Sequence, residues 1–207
     1  MGVGGGRPEW WSPTPPEPRA SIEPVFVLGI DPGLTRCGYC ALEVRRGSTR
    51  AVALGVLRTP ADAPVAVRLA ELWADVRSLI DEVRPQSVAI ERVLFQSNVR
   101  TAMSVGQASG VVMAEAASRG IDVAEYSPNQ IKDAVAGHGS ADKQQVQQMV
   151  QVLLGLSSPP RPADAADAAA IALTHVAFSV GTAVPARSPR DAASSAAPAL
   201  HPGGARP

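Results

Sequence analysis

Val25-Phe26-Val27-Leu28-Gly29-Ile30 runs without a charge and stops at Asp31-Pro32-Gly33. A strand with one wet face alternates apolar and polar residues; an unbroken apolar run of strand length is a strand covered on both faces. Asp-Pro-Gly is turn chemistry, so the run ends with a carboxylate at its C-terminal tip. Such a strand belongs in the middle of a sheet. Two further strands are expected at 37–44 and 51–57, joined by the turn Arg45-Arg46-Gly47-Ser48. Ser87-Val88-Ala89-Ile90-Glu91 is a short buried strand that also ends on a carboxylate, and 121–126 is the next. Elsewhere the period changes. Leu69, Leu72, Trp73, Val76, Ile80 and Val83 recur at helical spacing, which places an amphipathic helix over 64–84, between Pro64 and Pro85. Further helices are expected over 99–119 before Gly120, after the cap Ser127-Pro128, from Ser140 to Gly155, and over the Ala-rich 163–178. The element order gives an α/β fold, a mixed central sheet flanked by helices on both faces.

The ends of this 207-residue chain differ from its middle. Residues 1–24 are rich in Gly and Pro, and residues 181–207 hold eight Ala and five Pro with almost no large aliphatics. Such segments bury too little apolar area to offset ordering entropy, so both are expected to be disordered tails around one domain at 25–180. Trp10-Trp11 stands out in the first tail, as a sticky spot or as a partner-binding or base-stacking element. Nineteen basic and nineteen acidic residues cancel, which excludes a polycation held to nucleic acid by charge alone. Two cysteines exclude a disulfide scaffold and a four-cysteine zinc module. No apolar run approaches the roughly 20 residues of a membrane span, and the start lacks a secretory pattern. A cytoplasmic protein without a membrane partner is expected.

The informative feature is the set of acids at element ends. Asp31 and Glu91 each terminate an apolar strand, and Asp164 and Asp167 lie three apart on one face of the last helix. Burying an unpaired charge costs several kcal/mol or shifts its pKa, and a shared divalent cation removes that cost. Oxygen ligands from three elements suit Mg²⁺ or Mn²⁺ rather than zinc. Two such ions would activate water and stabilise a leaving oxygen in phosphoryl transfer. Taken singly, each acid is equally a turn former or a helix-terminal acid, and spacing alone does not show that the four converge.

The chain resembles the RuvC family of Holliday-junction resolvases. Gly29-Ile30-Asp31-Pro32-Gly33 with Thr35 and Gly38-Tyr39, then Ala89-Ile90-Glu91-Arg92-Val93, carry the likeness, as does Gly106-Gln107-Ala108-Ser109-Gly110. So do Tyr126-Ser127-Pro128, Ile131-Lys132, Gly139-Ser140-Ala141, Lys143, Gln145-Val146 and Pro162-Ala163-Asp164-Ala165-Ala166-Asp167-Ala168. The blocks fall in order from about 25 to 178, and together they are far more specific than any one of them. The resemblance implies an RNase H-like fold and a homodimeric endonuclease with two Mg²⁺ per active site, Mn²⁺ being able to substitute. It further implies symmetric nicks across a four-way DNA junction in recombination and repair, leaving 5′-phosphate and 3′-hydroxyl ends, and association with the RuvA–RuvB branch-migration complex. The family's catalytic and metal-binding acids fall on Asp31, Glu91, Asp164 and Asp167.

Lys132 and Lys143 are the chain's only lysines, and both match basic family positions that contact DNA near the cleaved phosphate. Leu94 and Phe95 stand where many relatives place an aromatic wedge, while Arg92, Asn98 and Arg100 flank them as candidate DNA contacts. Cys37-Gly38-Tyr39-Cys40 matches C-x-x-C, but strand residues three apart face opposite sides, so the thiols should not meet. His138, in the glycine loop, could approach DNA, whereas His175 reads as structural. Gly106 and Gly110 suggest close helix packing, within the chain or at a dimer interface. The competing readings are another RNase H-fold nuclease or recombinase, an ATP-binding protein of the actin–Hsp70 type, and a junction-binding protein without catalysis.

Overall fold

The computed structural model describes residues 23–92 and 99–180. The expected tails, including Trp10-Trp11, and the wedge candidates Leu94 and Phe95 together with Asn98 lie outside those residues. β1 (Val25–Asp31) pairs antiparallel with β2 (Arg36–Arg45) on one side and parallel with β4 (Ser87–Glu91) on the other. β3 (Ser48–Arg58) extends the sheet beyond β2, and β5 (Asp122–Tyr126) extends it beyond β4. The resulting order, β3-β2-β1-β4-β5, puts the unbroken apolar run at the centre. Leu28 and Ile30 face one layer and are wholly buried; Val27 and the close-packed Gly29 face the other. Each such large side chain contributes roughly 1.5–3 kcal/mol by leaving water.

Among the described residues, five helices supply the cover. On one side α1 (Val65–Val83) and α2 (Val99–Ser118) bury Leu72, Val76, Ile80 and Val112 against Leu28, Ile30 and Ile90. On the other, α3 (Pro128–Ala136), α4 (Lys143–Leu153) and α5 (Ala163–Val180) pack over Val27, Leu42 and Ala89. Cys37 and Cys40 fall into opposite layers, as their spacing requires, and burial pushes both thiols up to about 12. Trp73 departs from its expected place in the apolar stripe of α1. It is 42% exposed and donates its indole N–H to Glu115 at 2.6 Å. The helix expected from Ser140 begins later, because Asp142 and Gln145 form a reciprocal capping box that fixes its start at Lys143. Its predecessor α3 starts on the expected Ser127-Pro128, with the same box closed by Gln130.

The Ala-rich sequence of α5 has a packing reason. Ala165, Ala166, Ala168, Ala169 and Ala172 have no exposed surface, and the helix lies directly on β1 and β2. A Cβ at Gly29 would collide with the carbonyl oxygen of Ala168, and one at Gly38 with that of Asp164. Glycine on the strands and alanine on the helix together allow the backbones to approach. By contrast, a Cβ at Gly106 or Gly110 would meet nothing within 4 Å. Close packing among the described residues therefore does not account for that pair. No helix among the described residues is long and apolar enough to cross a membrane.

Candidate active site

Strand register brings the first two acids together. Ile30 pairs with Ile90 across the parallel β1–β4 ladder, so Asp31 and Glu91 follow side by side at the C-terminal ends of adjacent strands. Across β2, Asp31 pairs with Gly38, and Gly38 lies under the backbone of Asp164 at the start of α5. One turn along, Asp167 reaches the same place. Asp31, Glu91 and Asp167 line one cavity of about 280 Å³, with Lys132 of α3 and Lys143 of α4 on its wall and Ile131, Val146 and Ile171 at its apolar side.

The electrostatics of this cavity are unfavourable as they stand. Burial, first, and then the charges of Asp167, Glu91 and Asp164 push the Asp31 carboxyl up to about 7. Burial and the charge of Asp167 raise Glu91 as well, against the opposing pull of Lys143. Two cations already answer part of this charge. Lys143 donates its Nζ to Asp167 at 2.6 Å, and that hydrogen bond raises the lysine above its ordinary value. Arg36, at the start of β2, donates Nε at 3.0 Å and also Nη2 to Oδ2 of Asp164, holding that carboxyl below the usual range. Asp164 is thereby turned to Arg36 and does not line the cavity. Among the described residues, no three His, Cys, Asp or Glu side chains are already gathered to hold one ion.

The donor set nevertheless fits a hard divalent cation. It consists of carboxylate oxygens from β1, β4 and α5, and the burial and excess negative charge that raise Asp31 are what a cation would offset. Its neighbours Lys132 and Lys143 give the cavity a place for an anionic substrate. Carboxylates and lysines in one cleft suit hydrolysis of a phosphodiester.

The other sequence candidates are dispersed. Arg92 is exposed just after β4 and donates its backbone N–H to Tyr126 at 2.8 Å. Arg100 lies in the first turn of α2. His138 Nδ1 is 3.1 Å from the Ser140 hydroxyl, outside the cavity lining. His175 is structural as expected, its Nδ1 lying 2.9 Å from the Tyr126 hydroxyl. Sequence reasoning missed Arg36. Its signal was positional: it stands two residues before Gly38, the register partner of Asp31.

The family model for the crossover junction endodeoxyribonuclease RuvC matches residues 27–175. A Moorella thermoacetica protein, "Crossover junction endodeoxyribonuclease RuvC", is 49% identical over 74% of this chain and 92% of its own length. A Rhodococcus opacus protein of the same description is 53% identical over 72% of this chain and 79% of its own. The structure of Thermus thermophilus RuvC in complex with Holliday junction substrate superposes with a TM-score of 0.72 at 39% identity, covering 76% of this chain and 97% of that one. The yeast mitochondrial Holliday junction resolvase Ydc2 shares the fold at 17% identity, with a TM-score of 0.54. By family match, sequence identity and superposition alike, the chain belongs to the RuvC family of crossover junction endodeoxyribonucleases.

Proposed function

We propose that this chain resolves four-way DNA junctions as a Mg²⁺-dependent endonuclease whose catalytic acids are Asp31, Glu91, Asp164 and Asp167. The observation that carries this reading is the convergence of Asp31, Glu91 and Asp167 on one cavity with two lysines on its wall. Asp31, Glu91 and Asp167 would hold the metal, with Asp164 joining them from the same helix face. Bound there, divalent ions supply an activated water and neutralise the charge that builds on the departing 3′ oxygen.

The chain's own residues do the positioning. Asp31 sits at the end of the central strand, so its carboxylate is held by the sheet rather than by a loop. Lys143 fixes the Asp167 carboxylate through Oδ2. Lys132, on the same wall, is the cation for a non-bridging oxygen of the scissile phosphate. The apolar wall of Ile131, Val146 and Ile171 limits water around the reacting group. Arg92 and Arg100 flank the 93–98 segment and contact backbone phosphates, while Leu94, Phe95 and Asn98 engage the opened junction. A symmetric pair of nicks needs two such sites, so the working form is a homodimer, acting with the RuvA–RuvB complex in the cytoplasm.

The test is cleavage of a synthetic four-way junction beside linear duplex and RNA–DNA hybrid, in Mg²⁺, in Mn²⁺ and in EDTA. Paired nicks confined to the junction, with 5′-phosphate ends and only in the presence of metal, are expected. Equal cutting of linear duplex, or undiminished cutting in EDTA, would overturn the reading. Sedimentation of the full chain at micromolar concentration checks the dimer.

A further inference from the structure

Arg36 is the first residue of β2, and its register partner is Arg58, the last residue of β3. Residues directly opposite on an antiparallel pair share a face, and like charges placed so repel each other. The face they share is the one that carries α5, since Arg36 reaches Asp164. A third guanidinium lies close by. Arg68 of α1 is only 9% exposed, yet it is bonded to hydroxyls, donating Nη2 to Thr35 at 2.6 Å and Nε to Thr59 at 3.1 Å. Thr35 directly precedes Arg36 and Thr59 directly follows Arg58, so the network fixes both strand ends. Among the described residues, no carboxylate pairs with Arg58 or Arg68. Of the three guanidiniums only Arg36 is paired with an acid, Asp164, and that acid is wanted at the cavity next door.

We propose that Arg36 and Arg58 form a phosphate-binding corner for the DNA backbone, and that Arg36 exchanges Asp164 for a phosphate oxygen when DNA arrives. This rests on the metal-site reading given above. The guanidinium fork fits phosphate as well as it fits carboxylate, and it stays charged throughout. Arg36 is 39% exposed on its side chain, so an incoming phosphate can reach it without moving the backbone. Once released, Asp164 is free to turn toward Asp31, whose register partner Gly38 lies against the Asp164 backbone. DNA contact at the corner then favours metal at the cavity, and by reciprocity metal favours DNA.

Two measurements on the full chain test this, using Arg36→Gln, Arg58→Gln and Arg36→Lys, with folding checked by circular dichroism. The first is four-way junction affinity in EDTA across a salt series. Removing one phosphate contact lowers the slope of log affinity against log salt by about 0.9, so each Gln variant is expected to lose about that much and Arg36→Lys to keep it. The second is a Mn²⁺ titration by electron paramagnetic resonance without DNA. Arg36→Gln is expected to bind Mn²⁺ about two- to fivefold tighter, the range an exposed ion pair supports, and Arg58→Gln to bind it unchanged. Unchanged salt slopes in both Gln variants would overturn the phosphate corner. Looser Mn²⁺ binding in Arg36→Gln would overturn the exchange and make Arg36 a support for Asp164. If the parent chain binds no Mn²⁺, the metal-site reading fails, and the salt slopes still decide the corner.

Discussion

Replacing Asp31 with Asn should inactivate the chain and stabilise it. In the metal-free fold the Asp31 carboxyl lies at about 7 against an ordinary 3.8, chiefly from burial and then from the charges of Asp167, Glu91 and Asp164. The unfolded chain releases this proton near 3.8, and the folded chain keeps it to about 7. Folding therefore binds a proton in that window. Stability from this group is full below the unfolded value, declines as pH rises, and the loss is complete above the folded value. At roughly 1.4 kcal/mol per unit, the shift amounts to about 4 kcal/mol against the charged form at pH 8. Asn has nearly the same shape and no charge at any pH. The variant is expected to be about 2–4 kcal/mol more stable than the parent at pH 8 in EDTA, the gap narrowing to about 1 kcal/mol at pH 5. Urea unfolding at the two pH values, with an unchanged slope against denaturant, measures it. The same preparation should bind a four-way junction and leave it uncut. An Asn variant no more stable than the parent at pH 8, or a gap that does not narrow at pH 5, would refute the claim that Asp31 carries uncompensated charge.

Lys143→Met removes the partner of Asp167, so single-turnover cleavage should fall about 10–100-fold, as for other groups that orient metal-binding carboxylates. The Lys143 side chain is 64% exposed, and thermal melts should place the effect on stability below about 1 kcal/mol. Gly29→Ala drives a methyl into the Ala168 carbonyl and should cost about 1–3 kcal/mol in urea unfolding. Gly106→Ala is the control: its Cβ meets nothing, and the helix should gain up to about 1 kcal/mol. Arg68→Met leaves the Thr35 and Thr59 hydroxyls without their donor and should cost about 1–3 kcal/mol, measured the same way.

Most of the secondary structure was legible because the chain punctuates itself. The apolar run before Asp31, the stripe of 64–84 and the Ser127-Pro128 cap each predict an element that forms where expected. The errors are local competitions. Asp142 and Gln145 cap each other more completely than Ser140 caps anything, so α4 starts later. Trp73 keeps helical spacing but turns outward, because its N–H finds Glu115 on the neighbouring helix.

The sequence by itself determined the central strand, the acids that end β1 and β4, and the family to which the chain belongs, since these follow from local pattern and ordered motifs. Only the tertiary structure decided which acids meet. Parallel register sets Asp31 beside Glu91, and the glycines of β1 and β2 let α5 bring Asp167 to them. Tertiary structure likewise gave Asp164 to Arg36, a residue far away in sequence, because a charge seeks its partner through space and leaves no periodic trace along the chain.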